Sequence, residues 1–222
     1  MKARTKRGAK LPITTLFMDV GGVLLTDGWD HRARRRAATT FDLEWAKMEA
    51  RHKLTFDAHE QGKLTLEEYL DLVVFYERRA FSHAKFREFM FEQSKPFPKM
   101  IELIARLRVE HALKVVAVNN EARDLNDYRI GKFKLDSCVD FFVSSCCVQM
   151  RKPDPGIFRL ALELAHVSAG QVAYVENTPM FVQIAGALGI RGVVHVNADS
   201  TRAALASLGL PLSDSPPESM MR

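Results

Sequence analysis

Cysteine is scarce in this chain and long apolar runs are missing. The 222 residues include three cysteines, Cys138, Cys146 and Cys147, which form an odd set without metal-ligand spacing and are predicted to stay reduced. No uninterrupted apolar stretch approaches the ~20 residues needed to span a bilayer, so no membrane association is expected. No apolar segment follows the basic N-terminus before Asp19, as a secretory signal requires, and a cytoplasmic location is therefore expected.

Acidic residues are absent from the first ten positions, which carry five basic side chains. Without these positions, residues 11–222 have no net formal charge, although the whole chain carries +5. No nucleic-acid groove is expected in the fold, and residues 1–10 are predicted to be a disordered basic arm making at most weak phosphate contacts. The arginine-rich segment at residues 32–36 is predicted to be the solvent-exposed face of a helix.

The sequence does contain a buried-strand pattern that ends at one carboxylate. The apolar run at residues 15–18 is followed by Asp19, and Gly21 and Gly22 come shortly after. An apolar run bounded by glycine favours the middle of a parallel sheet. A carboxylate there costs free energy unless a partner meets it, and ligands bind at the carboxyl ends of such strands. Asp19 is therefore a candidate nucleophile or metal ligand.

Strand and helix patterns alternate along the rest of the chain, after a long helical segment at residues 31–95. This order predicts an α/β fold, a Rossmann-like doubly wound parallel sheet with a helical cap inserted after the first strand. The predicted organisation is an α/β core of residues 11–26 and 96–208, a helical cap of residues 27–95, and a disordered tail of residues 209–222. Polar residues end four of the predicted strands and should line one crevice: Asp19, Asn119, Ser144 and Glu176.

Four short motifs over residues 13–198 resemble those of the haloacid dehalogenase-like (HAD) hydrolase superfamily. The first motif of that family, D-x-D at the end of a strand, is similar to Asp19-Val20-Gly21. The other three are similar to Val116-Ala117-Val118-Asn119, Lys152-Pro153-Asp154-Pro155 and Glu176-Asn177. The helical insertion is similar to the small cap of that family.

The resemblance implies a phosphatase of small phosphorylated metabolites that forms an aspartyl-phosphate on Asp19. Lys152 would keep Asp19 ionised and screen its charge. Mg²⁺ would be held by Asp19, the Gly21 carbonyl and Glu176, since it prefers oxygen ligands. The implied phosphate-binding residues are Gly21, Gly22, Asn119 and Asn120. The sequence indicates no oligomeric state.

This sequence departs from the family pattern in the first motif. Gly21 stands where the phosphatases of the family have a second aspartate, which serves as the general acid. Asn119 replaces a hydroxyl residue, and Glu176-Asn177 replaces two aspartates, so the affinity for Mg²⁺ should fall. Without the acid, leaving groups that need no proton should be favoured, such as acyl, anomeric sugar or activated aryl phosphates. Asp27, Asp30 or His31 are alternative proton donors.

Two other functions remain open from the sequence. A metal-free dehalogenase also lacks the second aspartate of the first motif, although Glu176 favours a metal. A non-catalytic protein of the same fold, in which the cap binds a partner or metabolite, would explain the altered motif residues. Trp29 and nearby aromatic residues are candidates for shaping a substrate pocket under the cap.

Overall fold

A five-stranded parallel sheet forms the centre of the protein. The computed structural model describes residues 11–214, so the predicted basic arm lies outside the described residues. The strands are β1 Thr15–Met18, β2 Lys114–Asn119, β3 Phe141–Ser144, β4 Val172–Glu176 and β5 Arg191–Val194. Their order is β3-β2-β1-β4-β5, with Phe17 opposite Val116 on one side and Tyr174 on the other. The predicted fold class is confirmed.

Helices cover both faces of the sheet and also fill the segment between β1 and β2. The helices are α1 His31–Thr40, α2 Trp45–Glu60, α3 Leu66–Val73, α4 His83–Glu92, α5 Pro98–Glu110, α6 Arg123–Phe133, α7 Ser145–Val148, α8 Gly156–Ala165, α9 Pro179–Ala187 and α10 Ala198–Ser207. No helix within residues 11–214 combines the length and apolar composition that crossing a membrane requires.

Strand β1 is buried on both of its faces, which is why its sequence is continuously apolar rather than alternating. Leu16 and Met18 belong to a cluster with α5 and α10, whereas Phe17 belongs to a cluster with α8 on the opposite face. Successive side chains of a strand point to opposite faces, so one strand supplies both halves of the core. This fixes the position of Asp19, the residue that follows β1.

Helices α1 to α4 pack around an apolar cluster of their own, in which Phe86 and Tyr69 are fully buried. Thr65 and Glu68 form the reciprocal capping box predicted by the T-x-x-E pattern at the start of α3. The two ends of this four-helix segment meet, because the Thr26 backbone N–H donates to the Lys95 carbonyl at 2.9 Å. The segment therefore leaves and re-enters the core at one place, beside Asp19.

The predicted disorder from residue 209 onward is wrong for residues 209–214. Leu210 is buried in the same cluster as β1, and His111 hydrogen-bonds to the Pro211 carbonyl at 2.7 Å. The Ser213 backbone N–H donates to Glu110 at 2.7 Å. One buried leucine outweighs the polar composition around it, since burying its side chain contributes roughly 1.5–3 kcal/mol. Residues 215–222 of the predicted tail lie outside the described residues.

Candidate active site

The carboxyl ends of β1 and β4 place two acidic residues beside each other. Asp19 follows the last residue of β1, and its backbone N–H donates to the Val175 carbonyl at 3.0 Å. Glu176 is the last residue of β4 and is fully buried. The parallel pairing of these neighbouring strands brings both carboxylates to the same edge of the sheet.

Lys152 lies between these two carboxylates. Its side chain is 1% exposed, and its Nζ atom is 3.0 Å from Asp19 Oδ1 and 2.7 Å from Glu176 Oε2. The amide of Asn120 fixes the backbone of Lys152 through two hydrogen bonds of 2.8 Å, one to its N–H and one to its carbonyl. Asn120 therefore aims the lysine, a role that the sequence did not indicate.

Burial dominates the acid–base properties of this group. Desolvation raises the pKa of Asp19 to about 6, although the Lys152 ammonium opposes the rise; the Glu176 charge adds to it. Burial also raises the pKa of Tyr174 well above its ordinary value. Tyr174 therefore keeps its proton and donates it to Glu176 Oε2 at 2.5 Å. The site has two carboxylates for one ammonium, and an added cation would relieve this imbalance.

The metal-ligand prediction for Glu176 has to be revised. Its Oε2 atom accepts hydrogen bonds from Lys152 and Tyr174, and its Oε1 atom accepts one from the Thr178 backbone at 2.9 Å. Both oxygens are thus used by protein donors in a fully buried position. The next residue, Asn177, lines the cavity above Asp19 instead.

The oxygen donors around that cavity are of the kind that Mg²⁺ prefers, but few of them carry a negative charge. Residues 11–214 contain no group of three His, Cys, Asp or Glu side chains that could hold a metal. Mg²⁺ is commonly bound by one or two carboxylates, with waters and substrate phosphate completing its shell. Asp19, the Gly21 carbonyl and the Asn177 amide oxygen can supply such a set, because all three residues line the cavity.

Asn119 is not placed as predicted. Its side chain is 2% exposed, donates to Asn126 at 3.1 Å and accepts from Ser144 at 2.8 Å. Because the side-chain amide of Asn119 is buried and makes these two bonds, it is not free to hold a phosphate oxygen. Asn120 lines the cavity, but both polar atoms of its amide already bond to the backbone of Lys152. The Asn119 amide, in place of the family's hydroxyl, bonds to Ser144 of β3 and Asn126 of α6 rather than to a ligand.

The two glycines after Asp19 have different neighbours. Gly22 has a φ of +70°, and a Cβ atom there would lie 2.0 Å from Nδ2 of Asn177. A Cβ atom on Gly21 would have its nearest neighbours at 3.6 Å, the Cα and Oδ1 atoms of Asp27. The turn therefore requires glycine at position 22, while position 21 has room for a side chain.

The three predicted substitutes for the missing acid are unequally placed. Asp27 lines the cavity beside Gly21, and burial together with the nearby Asp30 raises the pKa of its carboxyl group. Asp30 caps α1 by accepting from the Ala33 backbone at 2.6 Å. The His31 side chain is 65% exposed and faces Glu49 at 3.7 Å. Of the three predicted proton donors, Asp27 is the one that lies beside Gly21, where the family's general acid is missing.

A cavity of about 450 Å³ separates Asp19 from the four-helix cap segment. Four cavity-lining residues that the sequence interpretation missed are His52, His59, Glu121 and Arg129. Arg129 is buried, pairs with Glu121 and donates to the Thr26 carbonyl, while burial raises the pKa of Glu121 to about 7. His52 and His59 are seven residues apart and therefore lie on one face of α2. This spacing could have been recognised in the sequence.

Arg34 corrects the prediction that residues 32–36 are all solvent-exposed. Its side chain is 9% exposed, and its guanidinium donates to both carboxylate oxygens of Glu49, at 2.9 and 3.1 Å. A third bond, of 2.7 Å, goes to the Trp29 carbonyl. The helix α1 buries one arginine of its basic run against the cavity wall, where Glu49 compensates its charge.

Replacing Gly22 by alanine is expected to destabilise the protein by about 1–3 kcal/mol, because of the positive φ and the clash with Asn177. Gly21→Ala is the matched control and should stay within about 0.5 kcal/mol of the wild type, since its new methyl group meets only ordinary contacts. Urea unfolding of both variants measures the difference. Equal losses for the two alanines would contradict this description of the turn.

Acid should destabilise the cap segment through its histidines. Burial lowers the pKa values of His52 and His59 to about 4, so the native state binds no proton there between pH 6.5 and 4, whereas the unfolded chain does. The contribution of these two histidines to the free energy of unfolding should therefore fall by about 2 kcal/mol or more as the pH drops through this range, while the raised pKa values of Asp19 and Glu121 act in the opposite direction. Urea titrations of the wild type and of His52→Gln/His59→Gln at pH 7 and 4.5 isolate this contribution, because the double variant should lose less stability between the two pH values than the wild type. An unchanged difference in the double variant would show that other groups are responsible.

Comparisons with known proteins agree with this geometry. A curated relative, flavin mononucleotide hydrolase 1, chloroplastic, of Arabidopsis thaliana, is 26% identical over 208 residues, covering 93% of this chain and 81% of that protein. A HAD family enzyme from Bacteroides thetaiotaomicron, solved with magnesium and inorganic phosphate, has a TM-score of 0.70 at 20% identity, covering 83% of this chain and 94% of its own. A defluorinating L-2-haloacid dehalogenase has a TM-score of 0.59 at 17% identity, covering 82% and 80%.

The solved structures share the fold at low identity, and their magnesium, phosphate and haloacid chemistry is stated of those proteins alone. The family assignment comes from a different comparison. A family model described as haloacid dehalogenase-like hydrolase matches residues 13–189. Since that match spans well over half of the sequence, this chain belongs to the haloacid dehalogenase-like hydrolase family.

Proposed function

We propose that this hydrolase is a magnesium-assisted phosphatase of small phosphorylated metabolites. The observation that carries the proposal is the buried Lys152 ammonium 3.0 Å from the Asp19 carboxylate, at the floor of a cavity. A phosphate ester repels an anionic nucleophile, so positive charge beside that nucleophile is required. A cytoplasmic location belongs to the proposal as well, although the Arabidopsis relative is named as chloroplastic.

The reaction would proceed in two displacements at phosphorus. An Asp19 oxygen attacks phosphorus, the bond to the leaving-group oxygen breaks, and that oxygen takes the electron pair. Water then attacks the aspartyl-phosphate, which returns the free carboxylate and releases phosphate. Lys152 favours the ionised form of Asp19 and offsets negative charge during attack. When bound, Mg²⁺ would add positive charge at the phosphoryl oxygens.

Substrate preference follows from the glycine at position 21. Acetyl phosphate releases a carboxylate that needs no proton, and an anomeric sugar oxygen leaves more readily than a simple alkoxide, so both phosphates are preferred candidates. Flavin mononucleotide enters as a candidate through the curated relative, but it is an alkyl phosphate whose leaving oxygen needs a proton. Comparable turnover of flavin mononucleotide and acetyl phosphate would make Asp27 the first residue to test as proton donor.

A metal-free dehalogenase is the second candidate. It is favoured by the glycine at position 21, because metal-free dehalogenases of the family also lack the second aspartate of the first motif. In that reaction, Asp19 would attack carbon and displace halide. Activity on a 2-haloacid that persists with a chelator would support this candidate over the phosphatase.

Phosphatase activity is expected on acetyl phosphate and α-D-glucose 1-phosphate, and it should fall when EDTA removes Mg²⁺. Asp19→Asn should lower kcat at least about 10³-fold, because the variant loses its nucleophile. Asp154→Asn, an exposed position of the same lysine loop, is the control and should retain activity. Phosphate release and a hydroxylamine-sensitive adduct on Asp19 are the measurements. No turnover of any phosphate or haloacid would favour a non-catalytic binding protein.

Gly21→Asp should widen the range of leaving groups. A Cβ atom at this position makes only ordinary contacts, and a general acid contributes about 10²–10⁴-fold in rate. In the wild type, log(kcat/KM) should fall steeply as the leaving-group pKa rises across a series of aryl and alkyl phosphates. The variant should show a shallower slope, with Gly21→Ala as the control for size. A flat wild-type slope would contradict the assignment of Gly21 as the missing acid.

A further inference from the structure

The cap wall of the cavity presents three uncharged aromatic side chains on helix α2, which also contributes Glu49, Lys53 and Glu60 to the lining. His52, Phe56 and His59 follow the spacing i, i+4, i+7, so they share one face of the helix, and all three line the cavity. His52 stacks on Phe56, with ring centroids 5.2 Å apart. This surface lies across the cavity from the Asp19 carboxylate, in the space that a leaving group must occupy.

A chain of three hydrogen bonding groups fixes the proton of His52. The Trp29 indole can only donate, so at 2.9 Å its Nε1–H makes the Tyr69 hydroxyl oxygen an acceptor. Nδ1 of His52, 2.8 Å away, is the only acceptor that the described residues offer to the proton of the buried Tyr69 hydroxyl, so Tyr69 donates to it. A neutral histidine whose Nδ1 accepts must carry its proton on Nε2. His52 is therefore a hydrogen-bond donor of fixed tautomer at the cavity wall.

The charge of this wall supports the same conclusion. Burial lowers the pKa values of His52 and His59 to about 4, which keeps both rings neutral at physiological pH. Arg34 is already paired with Glu49, and Lys53, the other cation of the wall, is exposed to solvent. The wall therefore offers neutral donors rather than a site for a second phosphate.

A neighbouring atom indicates that this part of the cavity is built for a polar ligand. Nε2 of His59 is buried without a hydrogen-bond partner among residues 11–214, although the ring stacks on Tyr69 at 4.2 Å. A buried polar atom without a partner lowers stability unless something binds it. Two imidazoles on one helix face thus have hydrogen-bonding capacity that the protein itself does not use.

We infer that His52, supported by His59, selects substrates whose leaving group is uncharged and carries oxygen acceptors, as a sugar does. The inference rests on the proposed phosphatase function and adds the class of leaving group to it. His52 acts on the leaving group through Nε2–H, and Phe56 provides the flat surface beside it. Acetate, by contrast, fills only a small part of a cavity of about 450 Å³ and should not depend on this contact.

Two substitutions of His52 separate its two nitrogens. His52→Asn keeps an acceptor at the place of Nδ1 for the Tyr69 hydroxyl but removes the Nε2–H donor. His52→Gln keeps a donor at the place of Nε2 and serves as the matched control. For α-D-glucose 1-phosphate, His52→Asn should lower kcat/KM by about fivefold to tenfold, the range for one neutral hydrogen bond. For acetyl phosphate, it should stay within about twofold, and His52→Gln should recover part of the loss.

The outcomes distinguish this inference from the proposed function. Wild-type turnover of both phosphates, with the same loss for each in His52→Asn or with no loss for either, would overturn the inference alone. No wild-type turnover of either phosphate would contradict the phosphatase and the inference with it. Thermal unfolding of each variant confirms that it is folded, and Phe56→Leu gives a second test should His52→Asn not fold. Its loss should again be confined to the sugar phosphate, and equal losses would overturn the inference.

Discussion

One buried ammonium holds the carboxyl end of the sheet together. Lys152 comes from a loop, yet its Nζ atom contacts the residue after β1 and the last residue of β4, and it is 3.3 Å from the Tyr174 hydroxyl. Desolvating an ion costs several kcal/mol, and removing one partner of a buried pair is strongly destabilising. Lys152 must therefore be compensated, and the two carboxylates overcompensate it. Burial is the main cause of the raised pKa of Asp19, and the excess negative charge makes this place suitable for a divalent cation.

The sequence was sufficient to predict the sheet, because five apolar strands separated by helices permit few other folds. It was also sufficient to place Asp19 and Lys152 in one site. It did not indicate that Glu176 is fully buried while Asn177 lines the cavity, because the composition of a strand end does not say which of two adjacent residues faces the cavity. The alternation of side chains along β4 indicates the burial of Glu176, since Tyr174 and Glu176 share a face of the strand and Tyr174 is fully buried.

The remaining differences arise from tertiary contacts that act over long distances in the chain. Arg34 lies in a basic run whose composition predicts exposure, but Glu49, fifteen residues later, makes its burial favourable. Asn119 looks like a ligand from its position, but it is taken up by Ser144 of the neighbouring strand. Leu210 looks like part of a polar tail, but it completes the core beside β1. In each case, a partner distant in sequence decides the outcome, and local pattern carries no information about that partner.

Contacts across the cavity couple the cap segment to the catalytic loop. Arg151, the residue before Lys152, pairs with Asp57 and with Glu60, whose carboxylate is 2.9 Å away, and its guanidinium lies 4.9 Å from the Phe56 ring centroid. These partners belong to α2, the helix that also carries His52. Lifting α2 from the core would break two ion pairs next to the lysine on which Asp19 depends. The position of the proposed leaving-group surface and the position of the Lys152 ammonium are thus set by the same contacts, so a helical insertion outside the sheet can influence chemistry at its edge.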